Sequence, residues 1–242
     1  MTEKNNIPDY FGHRERIRQK YIQSEGVGMA DYELLELLLT YAIPRKDVKP
    51  IAKDLIKEFG DINGVISAPI NRLMQIGGIK ENSATLIKLV KTCALRGTWE
   101  DLHEKDTPII INWDLLEDYC RSSMAHLDIE EFHVLYLDAK LQIIKEEKLQ
   151  SGTIDRVSVH PREIVKAALA ANANGIVLMH NHPSGSVNPS EQDVALTKKI
   201  IEVAKCLDLF VFDHIVVSKN NVYSMRANKA VDFYVPQNYK QK

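Results

Sequence analysis

The chain has 242 residues, of which 45% are hydrophobic and 26% charged, and its net charge is −2. These values are typical of a globular protein with one large domain or two small ones, and they give no general argument for binding to nucleic acid or membranes. No apolar run reaches the ~18 residues of a membrane span, and the polar N-terminus lacks a signal-peptide core, so we expect a cytoplasmic protein.

The first hundred residues predict a series of helices. Alternating basic residues along 13–24 are typical of an exposed helix, and Asp31 can cap a second helix that ends before Pro44. Apolar residues at helical spacing predict further helices near 48–59, 69–75 and 81–96. We therefore predict that residues 1–100 form a small all-helical domain.

The segment Leu73–Ile79 contains the turn Gly77-Gly78 and resembles a helix-hairpin-helix motif. In such hairpins, backbone N–H groups of the turn and a helix N-terminus contact a DNA phosphate. Two observations weaken this interpretation: Lys80 replaces the usual second glycine, and residues 1–100 hold 15 Lys and Arg against 13 Asp and Glu. A turn that only joins two packed helices explains the pattern as well. DNA binding through residues 1–100 is therefore an open alternative.

The stretch 97–108 is polar and lacks periodicity, and we place a linker at 101–108, before a second domain at 109–235. Within this domain the sequence predicts helices near 113–125 and 161–174. It predicts strands at 132–137, 141–150, 156–159, 175–179, 209–218 and 222–225. Strands in pairs that are interrupted by helices favour an α/β domain with a mixed sheet covered by helices.

Chemistry is concentrated in the loop that follows the apolar strand at 175–179. His180 and His182 fall on one face of an extended chain, because side chains alternate along a strand. Asp193 lies about one turn into the next predicted helix and can turn back over the loop. Two histidines and one aspartate leave a position open for water, which is typical of a catalytic Zn²⁺ site, where the water has a pKa of about 7.

A purely structural interpretation of the same residues is also open. The spacing of Ser190 and Asp193 fits a capping box, with Ser190 as the N-cap of the helix. The His-x-His pair alone is a weak signal, since a buried imidazole can simply hydrogen-bond in a core. The combination on one loop favours a metal.

The motif His180-x-His182-Pro183, followed by Ser190-x-x-Asp193, resembles the JAMM motif of the JAB/MPN+ metalloproteases. The longer run His-Asn-His-Pro-Ser-Gly, from His180, is similar to the bacterial RadC family in particular, and the likeness covers most of 100–230. The resemblance implies a cytidine-deaminase-like (JAB/MPN) fold, one bound zinc per chain and peptidase-type chemistry. The deaminase metal site itself is absent, because the three cysteines Cys93, Cys120 and Cys206 form no Cys-x-x-Cys.

The resemblance also implies a general base at the start of an early strand, and the family's Glu-x-Phe pattern selects Glu130 rather than its neighbour Glu131. Glu130 is then expected to move a proton from water to the leaving amine. Ser190 is expected to donate a hydrogen bond to the oxyanion, in addition to capping the helix. We interpret His214 as a hydrogen-bonded core residue that could hold a ligand in place.

Two further functions stay open at this point. A metal-dependent nuclease is one, although nucleases commonly use Mg²⁺ or two metals with several carboxylates. A DNA-associated binding protein, with the helical domain as its working part, is the other. The sequence specifies neither a peptide or protein substrate nor an oligomeric state.

Overall fold

The computed structural model describes residues 10–103, 108–109, 113–152 and 159–233. The predicted loose N-terminus and frayed C-terminal tail lie mostly or wholly outside these ranges, as does most of the predicted strand at 156–159. The chain divides into two compact units, Met1–Ala94 and Leu95–Lys242. Each unit is described by itself.

The first unit is all-helical, as the sequence predicts. Its core consists of apolar side chains from the last five of its helices and from the turn that precedes the last one. Leu35, Leu55, Leu73 and Ile87 are fully buried in this core. The helices are α1 (Tyr10–Ser24), α2 (Asp31–Ala42), α3 (Lys49–Phe59), α4 (Ile62–Ser67), α5 (Ile70–Leu73) and the first part of α6 (Glu81–Leu102).

The predicted cap of α2 is wrong. Ala30 is the N-cap residue, and its N–H donates to the Glu33 carboxylate at 2.9 Å. Asp31 accepts instead from the backbone N–H of Ile62, at 3.0 Å, and so joins α2 to the start of α4. The short helix α4 is not predicted from the sequence; it is capped by Asp61, whose carboxylate accepts from the Gly64 N–H at 2.7 Å.

The hairpin turn before α6 is shaped by packing. Gly78 has a φ of +96°, which strains a residue with a side chain, and a Cβ there would lie 2.6 Å from Cδ1 of Ile51, so the Ile51 side chain would have to shift. A Cβ on Gly77, in contrast, would have no neighbouring atom within 4 Å. The packing of Ile51 is thus a structural reason for a glycine at position 78, and contact between this turn and DNA stays a prediction.

Helix α6 continues through the polar residues 97–102, so it extends beyond the helix predicted near 81–96 and includes the first two positions of the predicted linker at 101–108. Leu95, Trp99 and Leu102 recur at helical spacing and pack against the core of the second unit. The polar residues between them obscured this periodicity. Residues 104–107, which complete the expected linker, lie outside the described ranges.

The second unit is built on a five-stranded sheet in the order β2-β1-β3-β4-β5. Strands β3 and β4 are parallel and the other neighbours are antiparallel, which confirms the predicted mixed sheet. The strands are β1 (Glu130–Leu137), β2 (Ile143–Gly152), β3 (Gly175–Asn181), β4 (Phe210–Val217) and β5 (Val222–Ser224).

Helices cover both faces of this sheet. Helix α7 (Trp113–Met124) and the end of α6 pack on one face, over side chains such as Leu135 and Met179. Helices α8 (Pro161–Ala170) and α9 (Glu191–Lys205) pack on the other, over Val134 and Leu178. Because alternate residues of β1 and β3 supply the two cores, both strands are buried on both sides. Among the described residues, no helix is long and apolar enough to cross a membrane.

The start of β3 is tightly packed, and it provides a test of the sheet. A Cβ on Gly175 would lie 2.4 Å from Cζ of Phe210, a ring that is itself only 2% exposed. We expect Gly175→Ala to lower the free energy of unfolding by about 1–3 kcal/mol through overpacking. Gly97→Ala, on α6 with nothing within 4 Å, is the matched control. The control should be neutral or stabilising by up to about 1 kcal/mol, as measured by urea unfolding.

Candidate metal centre

Strand β3 delivers the two histidines to one place. His180 is the second-last residue of the strand, is 1% exposed, and stacks on Phe132 of β1 with ring centroids 6.0 Å apart. His182 follows the strand, and its backbone N–H donates to the carbonyl of Val217 at 2.7 Å, which extends the pairing with β4 by one residue. The backbone that carries both rings is therefore fixed by hydrogen bonds on its β4 side.

Helix α9 delivers the carboxylate. Ser190 is its N-cap residue, and the hydroxyl of Ser190 accepts from the Asp193 N–H at 3.1 Å. Asp193 in return accepts at Oδ2 from the backbone N–H and the hydroxyl of Ser190, both at 2.6 Å. The capping box that the sequence left as an alternative is thus present, and it orients the same carboxylate that faces the histidines.

The three predicted ligands come together. Nε2 of His180 and Nε2 of His182 are 2.9 Å apart, and they lie 3.3 Å and 3.4 Å from the two carboxylate oxygens of Asp193. One donor atom from each residue lies within 4.8 Å of the other two, and within the described ranges no second group of this kind is present. This cluster is able to hold a metal ion, and the identity of the ion stays a prediction.

The protonation of His182 fits that use. Its Nδ1 lies 2.8 Å from the carbonyl oxygen of Ser186, which can only accept, so Nδ1 carries a proton. In the neutral ring, Nε2 then holds a lone pair that points toward Nε2 of His180 and the Asp193 carboxylate. Lone pairs and a negative charge that converge on one point are stabilised by a cation, and imidazole with carboxylate is a donor set that zinc accepts.

The pKa values at the cluster show the same electrostatics. Burial raises the pKa of the Asp193 carboxyl, but its contacts with the His180 and His182 rings, when these carry protons, outweigh burial and hold this pKa far below its ordinary range. The hydrogen bond that a protonated His182 ring would donate to Asp193 raises the pKa of His182 against the effect of burial, and the charge of Glu130 raises it further. Positive charge at this point is therefore favoured.

The two candidate bases lie on opposite faces of β1. Glu130 is close enough to His182 for its charge to act on that ring. Glu131 is held on the other face, where its carboxylate pairs with Lys148 at 2.6 Å and with His133 at 3.0 Å. The structure therefore brings Glu130, rather than Glu131, toward the candidate ligands, and its role as a base stays a prediction.

Asn181, between the two histidines, holds the start of β1. Its side-chain oxygen accepts from the Glu131 N–H at 2.8 Å, and its side-chain N–H donates to the Ile129 carbonyl at 3.0 Å. These two bonds flank Glu130 and fix the backbone on both sides of it. The sequence does not predict this connection, because the spacing of the motif does not reveal which strand lies beside β3.

His214 on β4 contacts the ring nitrogen of His180 that does not face Asp193. Its Nε2 lies 2.8 Å from Nδ1 of His180, and its Nδ1 lies 2.6 Å from the Thr197 hydroxyl. His214 is fully buried, and burial, followed by the charge of His180, holds its pKa well below 6.5. The contact of Thr197 with His214 is not predicted from the sequence, since a threonine in the middle of an amphipathic helix carries no distinctive signal.

Comparison with known proteins agrees with this architecture. Residues 110–230 match the family model of the RadC-like JAB domain, so the sheet and its covering helices form a JAB fold. A relative in Ruegeria pomeroyi, named UPF0758 protein SPO0054, is 40% identical over 222 residues, which cover 91% of this chain and 98% of the relative. The chain belongs to the RadC family.

The network around Glu131 predicts a pH dependence of stability. Burial lowers the pKa of His133, but hydrogen bonds with Glu146 and Glu131 outweigh it and raise that pKa above 6.5. The raised pKa means that protonated His133 stabilises the fold. This contribution is fully present below pH 6.5 and is lost as the pH rises through the raised value.

We therefore expect the difference in unfolding free energy between wild type and His133→Gln to shrink as the pH rises from about 6 to 9. Urea unfolding at a series of pH values measures it. A difference that stays constant over this range contradicts the predicted ion-pair network.

Proposed function

We propose that this protein is a zinc-dependent hydrolase of amide bonds, a peptidase or isopeptidase. The convergence of His180, His182 and Asp193 on one point, with Glu130 on the same face of the sheet, is the observation that carries the proposal. Membership of a JAB-domain family supports it, since such domains are often hydrolases. The proposed substrate is a peptide or protein.

The residues divide the work of such a reaction. Zinc bound by the three ligands would polarise the scissile carbonyl and lower the pKa of a water molecule to about 7. Glu130 accepts the proton of the attacking water on its carboxylate and returns it to the departing amine. Asn181 holds the backbone beside Glu130 through two hydrogen bonds, so the base has a defined position.

Ser190 is the proposed oxyanion donor. Its hydroxyl proton points to Asp193 Oδ2 in the structure, so donation to a tetrahedral oxyanion requires rotation of this hydroxyl. The backbone N–H of Ser190 also donates to Oδ2, and it continues to hold the carboxylate when the hydroxyl turns away. The cap and the oxyanion contact can in this way use different atoms of one residue.

Zinc content is the first test. We expect the purified protein to bind about one zinc per chain, and His182→Ala to lose most of it, because the variant keeps only two of three protein ligands. His103→Ala, which removes an imidazole at the end of α6, is the matched control and should keep its zinc. Elemental analysis after dialysis against a zinc buffer gives the answer.

A protein that stays metal-free in the presence of added Zn²⁺ would contradict the proposal. Nicking of plasmid DNA by the zinc-loaded protein, lost in His182→Ala, would support a nuclease in place of a peptidase.

The base is the second test. Glu130→Gln is nearly isosteric, so it should leave zinc content and thermal stability unchanged and lower peptide hydrolysis by roughly 10²–10⁴. Glu131→Gln is the control, because it removes a carboxylate from the opposite face, where Glu131 contacts Lys148 and His133. The control should retain most of its activity.

Turnover of one cleavable peptide by wild type and both variants, with zinc quantified in each, provides the comparison. An inactive Glu131→Gln together with an active Glu130→Gln would show that Glu131, rather than Glu130, is the base. Full activity of both zinc-loaded variants would eliminate the proposed mechanism.

A further inference from the structure

Three short contacts connect the backbone of helix α9 to His180. The Thr197 hydroxyl oxygen lies 2.6 Å from the carbonyl oxygen of Asp193 and 2.6 Å from Nδ1 of His214. Nε2 of His214 then lies 2.8 Å from Nδ1 of His180. Thr197 and His214 are both 0% exposed, so bulk water does not supply alternative hydrogen-bond partners for their side chains.

The protons in these contacts can be counted. A carbonyl oxygen only accepts, so the contact between Thr197 and Asp193 requires the single hydroxyl proton of Thr197. Nδ1 of His214 must then supply the proton for its own contact with the Thr197 oxygen. A neutral His214 has no second ring proton, so its Nε2 accepts, and the proton in the last contact belongs to Nδ1 of His180.

The opposite order leaves one contact without a proton. If Thr197 donated to His214, two oxygen atoms would face each other at 2.6 Å with no hydrogen between them. His214 would then donate from Nε2 to Nδ1 of His180, and the proton of neutral His180 would lie on Nε2, the atom that faces Asp193. A nitrogen that carries a proton cannot bind a metal.

We propose that Thr197 and His214 are positioning residues which fix His180 as the Nδ1–H tautomer and keep its Nε2 available as a metal ligand. The backbone carbonyl of Asp193 sets the direction of the hydrogen-bond chain, while the side chain of the same residue faces the ligands. His182 reaches the same tautomer by a separate route, through the carbonyl of Ser186. This inference deepens the proposed zinc site and rests on it.

The first experiment compares two substitutions at Thr197, which is not one of the three candidate ligands. Thr197→Val keeps the shape of the side chain but removes the hydroxyl, so the Asp193 carbonyl no longer directs the protons of His214 and His180. We expect its affinity for Zn²⁺ to fall by about 10–100-fold, the usual effect of losing a group that orients a ligand. Thr197→Ser restores the hydroxyl and should bind Zn²⁺ within about twofold of wild type.

Zinc affinity is measured by competition with a chromogenic chelator, and circular dichroism of the metal-free proteins shows that each variant folds. Equal zinc affinity of folded Thr197→Val and wild type would overturn the proposal. So would a loss of affinity in Thr197→Ser as large as in Thr197→Val.

The second experiment tests the tautomer without any metal. In metal-free wild type with ¹⁵N-labelled histidine, above the ordinary imidazole pKa of about 6.5, the ring nitrogens of His180 should report a proton on Nδ1 and none on Nε2. Assignment uses His180→Gln, which removes one set of ring signals. A His180 ring with its proton on Nε2 contradicts the inference.

This measurement also separates the inference from the proposed function. An Nδ1–H tautomer in a protein that binds no zinc would leave the hydrogen-bond chain intact and defeat the zinc site, and with it the positioning role. A protein that binds zinc but has an Nε2–H tautomer of His180 in its metal-free form would support the zinc site and contradict the positioning role of Thr197 and His214.

Discussion

The arrangement of the centre depends on how strand β1 pairs with strand β3. In the antiparallel register, Phe132 lies opposite His180, and alternate residues of each strand point to opposite faces. Glu130 therefore shares a face with Phe132, on the side of the sheet where Phe132 stacks on His180. A slip of one residue would turn Glu131 and His133 toward that side and Glu130 and Phe132 away from it, and it would exchange the two hydrophobic cores as well.

That register is held at its open end by a side chain. Beyond the pair of Phe132 and His180, the Asn181 amide takes over from the backbone and bonds on both sides of Glu130. The motif His180-Asn181-His182 thus serves both faces of β3. Its two imidazoles converge on Asp193, while the asparagine between them fixes the neighbouring strand, as alternation along an extended chain requires.

How far the sequence predicts this structure depends on whether the signal is local. Most helices of the first unit, the strand before His180 and the convergence of the three side chains follow from periodicity and from spacing along the motif, whereas the short helix α4 does not. The end of α6 does not, because Trp99 and Leu102 become part of a periodic face only through packing on distant residues. Asp31 shows the same limit, since its partner Ile62 is thirty-one positions away.

The site divides along the same line. The motif predicts which side chains converge, but it does not determine which ring nitrogens carry protons, because these depend on contacts between separate elements. His180 gains its second partner from β4, through His214, and His214 gains its partner from α9, through Thr197. Helix α9 therefore reaches the centre twice, directly through the Asp193 carboxylate and indirectly through the backbone carbonyl of that residue. Any displacement of α9 relative to the sheet must alter both the position of the Asp193 carboxylate and the hydrogen bond between Thr197 and His214, so the packing of α9 on β4 acts on both.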